Sequence, residues 1–173
     1  MESTRSTLIS FVSAVLFTAG IGALPAAHAQ LGGTQSQQIA GTWMLASNVA
    51  TREDGSKFDV YGASPKGMVI FSPDGHFTLV NTRDGLPKFA SNNRLKGTAE
   101  ENQAIVQGSI GLYGRYSVDP ATQTLQLTVD SSTWPSWTGT TQQRKYTLVG
   151  DELKWSLAAS VGGTAEVTWK RVK

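Results

Sequence analysis

Apolar and polar residues alternate over much of the chain after residue 66, and this period of two predicts β-strands. The sequences GMVIFS and HFTLVNT flank the turn sequence SPDG, so residues 67–82 are predicted to form a hairpin. Its Asp-Gly pair tolerates the positive φ that a tight turn requires. Strands at short, regular spacing are typical of an antiparallel meander. Five further segments alternate in the same way, at 112–119, 123–130, 140–149, 152–159 and 165–172.

The alternation also predicts which side chains share a face. Tyr146 and Leu148 mark the apolar face of the strand at 140–149. Arg144 lies on that face together with Gln142, and both are therefore predicted to point inward. On two other strands the sets predicted to share a face are Leu112, Gly114, Tyr116 and Val118, and Trp43, Leu45, Ser47 and Val49.

One segment, TAEENQAIVQGSIG, has the signature of a helix at about 98–110. Thr98 is a good N-cap and Glu101 follows three residues later, which makes a capping box. The whole stretch 83–111 is too long for a hairpin connection, and long connections are usually functional or disordered. One interpretation of this stretch is a lid or plug across the mouth of the β-barrel that the strands predict, and the other is a fixed structural cover.

These elements predict an all-β fold, a single up-and-down antiparallel β-barrel of about eight to ten strands with one short helix. The strand count depends on whether 49–61 folds back as a hairpin of its own. Closure of the sheet removes its exposed edges. An eight-stranded barrel leaves an interior able to hold one small ligand.

The amino terminus resembles a secretory signal. An apolar segment, LISFVSAVLFTAGIGAL, is followed by AHA at 27–29, the small-x-small pattern of a cleavage site. A transmembrane anchor is the alternative interpretation of the same segment. We therefore expect a signal peptide at 1–29, a flexible leader at 30–38 and the barrel domain at 39–173, with the mature protein periplasmic or extracellular and without a membrane anchor.

The amino-acid composition limits the kinds of catalytic and metal-binding chemistry that the protein could use. The formal net charge is +2, and the chain has no cysteine, which excludes disulfides and thiolate chemistry. Removal of the signal would leave His76 as the one histidine, so a histidine-based metal cluster is not expected. We expect no cofactor, no metal and no nucleic-acid partner, and we expect a monomer.

The motifs that follow one another along the chain resemble the bacterial and fungal lipocalin-like domain family. GTW at 41–43 is similar to the Gly-x-Trp motif of lipocalins. The other matching pieces, in order, are GMVIFSPDGHF, LPKFAS, LYGRYSVD, WPSWTGTTQQRKY, GDELKW and VTWKR, which together span residues 40–172. The resemblance implies an up-and-down barrel with a ligand-sized cavity, and it implies little about chemistry because fold does not fix function.

The candidate ligand-binding residues are Trp134, Trp137, Arg144, Tyr116, Gln142 and Tyr146. The two tryptophans lie in a connection stiffened by Pro135, where they would rim a cavity. An inward arginine would select a carboxylate or enolate through paired hydrogen bonds. Alternatively, the tryptophans plug one barrel end, Tyr116 is ordinary core, and Arg144 pairs with a structural carboxylate or stacks on Trp137.

Three functions remain open from the sequence. The first is a secreted binding protein for a small apolar or acidic molecule. The second is a cofactor-free isomerase or cyclase with a pocket based on Arg144 and Tyr116. The third is a protein-interaction or inhibitor barrel with the tryptophans as hot spots. No convincing catalytic constellation is present in the sequence, so the first is preferred and the catalytic residues stay unknown.

Overall fold

The computed structural model describes residues 37–173. The predicted signal peptide at 1–29 and most of the predicted leader at 30–38 lie outside the described residues. A helical turn covers 37–39, and the barrel elements follow it. They are β1 (Gly41–Thr51), β2 (Lys57–Asp59), β3 (Lys66–Phe71), β4 (His76–Thr82), helix α1 (Ala99–Gly108), β5 (Ser109–Asp119), β6 (Thr124–Ser132), β7 (Thr141–Val149), β8 (Glu152–Ala158) and β9 (Thr164–Arg171).

The strands form one closed antiparallel sheet. The order is β2-β1-β3-β4-β5-β6-β7-β8-β9, and β1 also pairs with β9, which closes the barrel. The three-residue strand β2 pairs with the last residues of β1 and is an addition to eight barrel strands. The predicted up-and-down barrel with one short helix is confirmed, and so is the hairpin at 67–82, which is β3 and β4.

Helix α1 begins where the capping box predicts. The Thr98 hydroxyl oxygen accepts a hydrogen bond from the Glu101 amide at 3.2 Å, and the Glu101 carboxylate accepts one from the Thr98 amide at 2.8 Å. The helix ends at Gly108, because Ser109 is already extended and starts β5. Within residues 37–173, no helix combines the length and apolarity needed to cross a membrane.

One end of the barrel is closed by the chain termini of the domain. Trp43 is fully buried, and its indole N–H donates to the Ile39 carbonyl at 2.9 Å. The Arg171 guanidinium lies over the Trp43 ring, 4.0 Å from its centroid, and donates to the Ala40 carbonyl at 2.9 Å. The long connections and the β8–β9 hairpin lie at the other end, which is therefore the mouth.

A β-bulge changes the face of β1 halfway along the strand. The register with β9 shifts between Leu45 and Ser47, so one extra residue stands in β1. Beyond a bulge of one residue every side chain changes sides, because the period of a strand is two. The prediction that Ser47 and Val49 share the face of Trp43 is therefore wrong; Ala50 is buried instead, and Asn48 lines the barrel interior.

Candidate ligand-binding site

A cavity opens at the mouth of the barrel. It comprises about 470 Å³ of space not filled by protein atoms, a figure that includes the space open to solvent. Side chains from six barrel strands line it, together with the segment before β3, Trp137 of the β6–β7 connection and residues 159–161 of the β8–β9 hairpin. The wall is mostly apolar with a few polar groups, which is the usual character of a small-molecule site.

Arg144 is the one charged side chain among the described residues that line this cavity. It extends inward from β7 and is 2% exposed. One guanidinium nitrogen, Nη2, donates to the Gln142 side-chain oxygen at 2.8 Å, while Nε is buried without a hydrogen-bond partner in residues 37–173. The guanidinium carbon lies 5.0 Å from the centroid of the Trp155 ring. Arg144 therefore stacks on Trp155, and the alternative of stacking on Trp137 is not what the structure shows.

No carboxylate in the described part of the chain compensates this charge. Among residues 37–173, none of the ion pairs includes Arg144. Burial lowers the pKa of Arg144 from its ordinary value to about 10, and the neighbouring Tyr61 opposes this shift. The guanidinium still carries its proton at neutral pH. A buried charge without a partner is unfavourable, so an anion brought into the cavity would be stabilised by it.

Further polar groups surround Arg144. Tyr61 is 8% exposed and Asn81 is 4% exposed. Burial raises the pKa of Tyr61, while a hydrogen bond with Asn81 and the charge of Arg144 act in the opposite direction. Tyr61 is therefore a neutral phenol at physiological pH. Several buried polar atoms have no hydrogen-bond partner among residues 37–173, and such atoms call for a ligand or a water. In residues that line the cavity these atoms are Asn48 Oδ1, Asn81 Oδ1, Trp155 Nε1 and Trp169 Nε1; Gln142 Nε2 is a further one, on a residue outside the lining.

Indole rings form much of the cavity wall. Trp155 and Trp169 pack together with their ring centroids 5.1 Å apart and their planes inclined by 49°. Trp137, in the 3₁₀ turn Pro135–Trp137, faces the cavity from the β6–β7 connection and is partly buried against the core. Flat aromatic walls beside a cation suit a planar ligand with an acidic group.

The structure brings some of the predicted site residues to this cavity. Arg144 and Trp137 line it. Gln142 does not line it, but its side-chain oxygen accepts a hydrogen bond from Arg144. Trp134 is 42% exposed and does not line it. Tyr116 lies towards the closed end, where its hydroxyl donates to the Ser72 carbonyl at 3.0 Å instead of reaching Arg144.

Tyr146 also lies away from the cavity. It is a buried residue of the barrel core, paired with Trp155 across β7 and β8. Burial and the negative charge of Asp119 raise the pKa of its hydroxyl. Since Asp119 ends β5 at the closed end, the Tyr146 hydroxyl is directed away from the mouth.

Sequence reasoning missed several cavity residues. Asn81 follows Phe77 and Leu79 at the period of two, so the alternation contained its signal. Trp155 stands at an inward position of β8 by the same rule. Asn48 was hidden by the bulge in β1, and Tyr61 lies in an irregular segment where no periodicity applies.

The segment 83–109 does not take part in the cavity lining. Its two ends are joined at the barrel rim, where the Arg83 amide donates to the Gly108 carbonyl at 2.7 Å. The helix that it contains is mostly exposed, with Gly108 as its buried residue. The structure therefore places this segment at the barrel rim and outside the cavity wall, and the choice between a lid or plug and a fixed cover stays a prediction.

The fold and the cavity define a closed antiparallel β-barrel with a pocket at one end. The family model described as "Lipocalin-like domain" matches residues 40–172, and the chain belongs to this family. A protein of Aspergillus oryzae, the 4'-hydroxy-3'-methoxypropiophenone carrier protein, is 28% identical over 101 residues, which cover 52% of this chain and 91% of that protein.

Solved β-barrels resemble the chain at a greater distance. A redesigned β-barrel has a TM-score of 0.41 and 19% identity, with 80% of this chain and 95% of that chain covered. A mutant of the fluorescent protein UnaG has a TM-score of 0.36 and 12% identity, with 79% and 97% covered. These likenesses are too distant to carry an argument about the ligand.

Proposed function

We propose that the protein is a carrier that binds a small, mostly apolar molecule with an acidic group in the barrel cavity. The observation that carries this proposal is the buried Arg144, which has no carboxylate partner within residues 37–173. An acidic group placed beside it would supply the missing negative charge. It would also accept a hydrogen bond from the unpaired Nε, a bond of the charge-assisted type.

The carrier named among the relatives supports this proposal. Its name denotes an aromatic ketone with a ring hydroxyl. A flat ring of that kind suits the walls formed by Trp137, Trp155 and Trp169. The identity is low, so the exact ligand is not transferred, and the proposal extends only to a small aromatic or apolar molecule bearing an acidic group.

The enzymatic alternative loses its specific basis. It depended on Arg144 and Tyr116 acting together, and the Tyr116 hydroxyl is directed to Ser72 near the closed end. The interaction-module alternative took both tryptophans as hot spots, but Trp137 is partly buried against the core, which leaves Trp134 as the exposed one of the two. Binding and carriage is therefore the function that the site supports best.

Native mass spectrometry of protein purified from its own host tests the carrier function. We expect a bound species of a few hundred daltons at most that dissociates on denaturation and absorbs in the near ultraviolet. A uniformly unliganded protein that also fails to bind benzoate and 4-hydroxypropiophenone at millimolar concentration would contradict the proposal. The control is Arg144→Leu purified in parallel, which should carry less of the species.

Export is the second part of the proposal. The apolar segment and the AHA sequence at 27–29 support cleavage after Ala29 and release to the periplasm or the medium. We expect the exported protein to begin at Gln30 and to be a monomer, measured by intact-mass analysis and light scattering. Recovery of the protein in the membrane fraction with Met1 intact would refute the export proposal without touching the carrier function.

A further inference from the structure

We propose that the cavity takes a weak oxygen acid, a phenol or an enol, as its conjugate base, so that the ligand loses its proton when it binds. This inference rests on the carrier function proposed above and adds the charge state and the chemical class of the ligand. The proton leaves to the solvent, because no carboxylate or histidine of residues 37–173 lines the cavity to receive it.

No other described residue that lines the cavity carries a charge. Tyr61 is the other titratable group of the cavity lining, and burial keeps it neutral. The charged side chains of the adjoining strands lie at positions that alternate with the buried ones. Lys145 on β7 and Glu166 on β9 are exposed, and the Lys154 side chain on β8 pairs with Glu152 at 3.0 Å. The guanidinium is therefore the dominant charge that a bound group would meet.

The charge of Arg144 affects the binding of a weak acid differently in its neutral and its anionic form. Burial alone would favour the neutral acid, since a desolvated anion is costly. Here the opposing cation is already desolvated within the folded barrel, so the anion gains the full attraction while the neutral acid gains only a dipole interaction. The anion therefore binds more tightly, and the apparent pKa of the ligand falls.

The unpaired hydrogen-bond donors favour the same form. Arg144 Nε and Gln142 Nε2 are both buried N–H groups without a partner among residues 37–173, and Arg144 is the one of the two residues that lines the cavity. An anionic oxygen beside Arg144 can accept from Nε, whereas a neutral hydroxyl must also place its own proton. Asn81 Oδ1 is an acceptor for such a proton, but that arrangement would leave Arg144 without a negative charge nearby.

A chromogenic phenol tests the inference directly. 4-Nitrophenol absorbs at different wavelengths as phenol and as phenolate, so its ionisation can be followed while it is bound. We expect an excess of protein to lower its apparent pKa by at least one unit, which corresponds to phenolate binding at least about tenfold more tightly than phenol. In weakly buffered solution near the pKa of the free probe, binding should release protons to the medium.

Two variants and one matched control assign the effect. Arg144→Leu should abolish the pKa shift of the bound probe. Arg144→Lys keeps the positive charge and should retain part of the shift, which would show that the loss in Arg144→Leu is not caused by misfolding. Arg115→Leu is the control, because Arg115 is an exposed arginine paired with Asp130 and its loss changes the net charge equally. A shift that falls equally in Arg115→Leu and Arg144→Leu would reflect the overall charge and would overturn the inference.

The remaining outcomes separate this inference from the carrier function. If 4-nitrophenol binds with an unchanged or raised pKa, the inference is wrong and the carrier function stands. If neither 4-nitrophenol nor 4-hydroxypropiophenone binds but benzoate does, the inference is also wrong, and the ligand is a carboxylate. If none of the three probes changes the tryptophan fluorescence or the melting temperature, both proposals fail together.

Discussion

Replacement of Arg144 by leucine separates a ligand anchor from a structural residue. A structural arginine would leave a carboxylate stranded when it is removed, and unfolding would become easier. The structure shows no such carboxylate among residues 37–173, so the variant loses only the hydrogen bond to Gln142 and the stacking on Trp155. We therefore expect the fold to tolerate Arg144→Leu while the binding of anions does not.

The magnitudes follow from the burial of the charge. Burial lowers the pKa of Arg144 from its ordinary value to about 10, and at neutral pH, below the pKa of both the folded and the unfolded state, the cost of holding the charge is fully present. At about 1.4 kcal/mol for each pKa unit, this cost is about 3 kcal/mol. The unpaired Gln142 oxygen left behind costs about 1–3 kcal/mol. The two effects largely cancel, so the melting temperature of the unliganded protein should change by only a few degrees, at about 2–4 °C for each kcal/mol.

Binding should respond far more strongly. The loss of a charge-assisted hydrogen bond costs about 1.5–3 kcal/mol, so the affinity for benzoate or 4-nitrophenolate should fall about ten- to a hundredfold. Acetophenone, which is neutral, should bind nearly as before. Titrations followed by tryptophan fluorescence and thermal unfolding followed by circular dichroism measure both effects, with Arg115→Leu as the control. A fall of many degrees in melting temperature with equal loss of all ligands would refute the reasoning.

Three further predictions concern other parts of the barrel. Trp137→Ala should weaken ligand binding several-fold, and Trp134→Ala, outside the cavity lining, should change it little; equal effects would contradict the cavity as placed. Gly114→Ala should destabilise the protein by about 1–3 kcal/mol in chemical denaturation, because the new Cβ would overlap a backbone oxygen of β6. Gly111→Ala on the same strand is the control and should be tolerated, because its new Cβ would have its nearest neighbouring atom at 3.6 Å. A hydrogen bond from the Thr122 side chain lowers the pKa of Asp119 in the folded protein, so the stability that this carboxylate contributes is present above the unfolded pKa and is lost as the pH falls below about 4. Asp119→Ala should therefore lose less melting temperature on acidification than the unmodified protein does. The same fall in melting temperature in both proteins would contradict this prediction.

Much of the fold was predictable because its signals are local. The alternation of apolar and polar residues in β7 predicted that Arg144 points inward, and the structure confirms that orientation. The capping box at Thr98 predicted the start of α1 within one residue. Each of these signals depends on residues within a few positions of one another, so no knowledge of distant contacts was needed.

The site was predictable only in part, because its polar partners come from distant strands. The sequence placed Arg144 inside the barrel and Trp137 in a connection at the mouth, but it joined Arg144 with Tyr116. Both are inward residues of neighbouring parts of the sheet, yet Tyr116 lies towards the closed end and bonds to Ser72. Height along the barrel depends on the register between strands, which the pattern of one strand does not contain.

The sequence by itself determined the alternation of apolar and polar residues along the strands, the positions of the tight turns and the inward orientation of Arg144, because the period of two and the turn residues act locally. Only the tertiary structure decided what that arginine meets. The bulge in β1 placed Asn48 in the cavity, the pairing of β8 with β7 and β9 placed Trp155 and Trp169 in the cavity wall, and the irregular segment before β3 placed Tyr61 there. No carboxylate came with them among the described residues, and a charge without its partner can be recognised only when all the neighbours of a buried side chain are known.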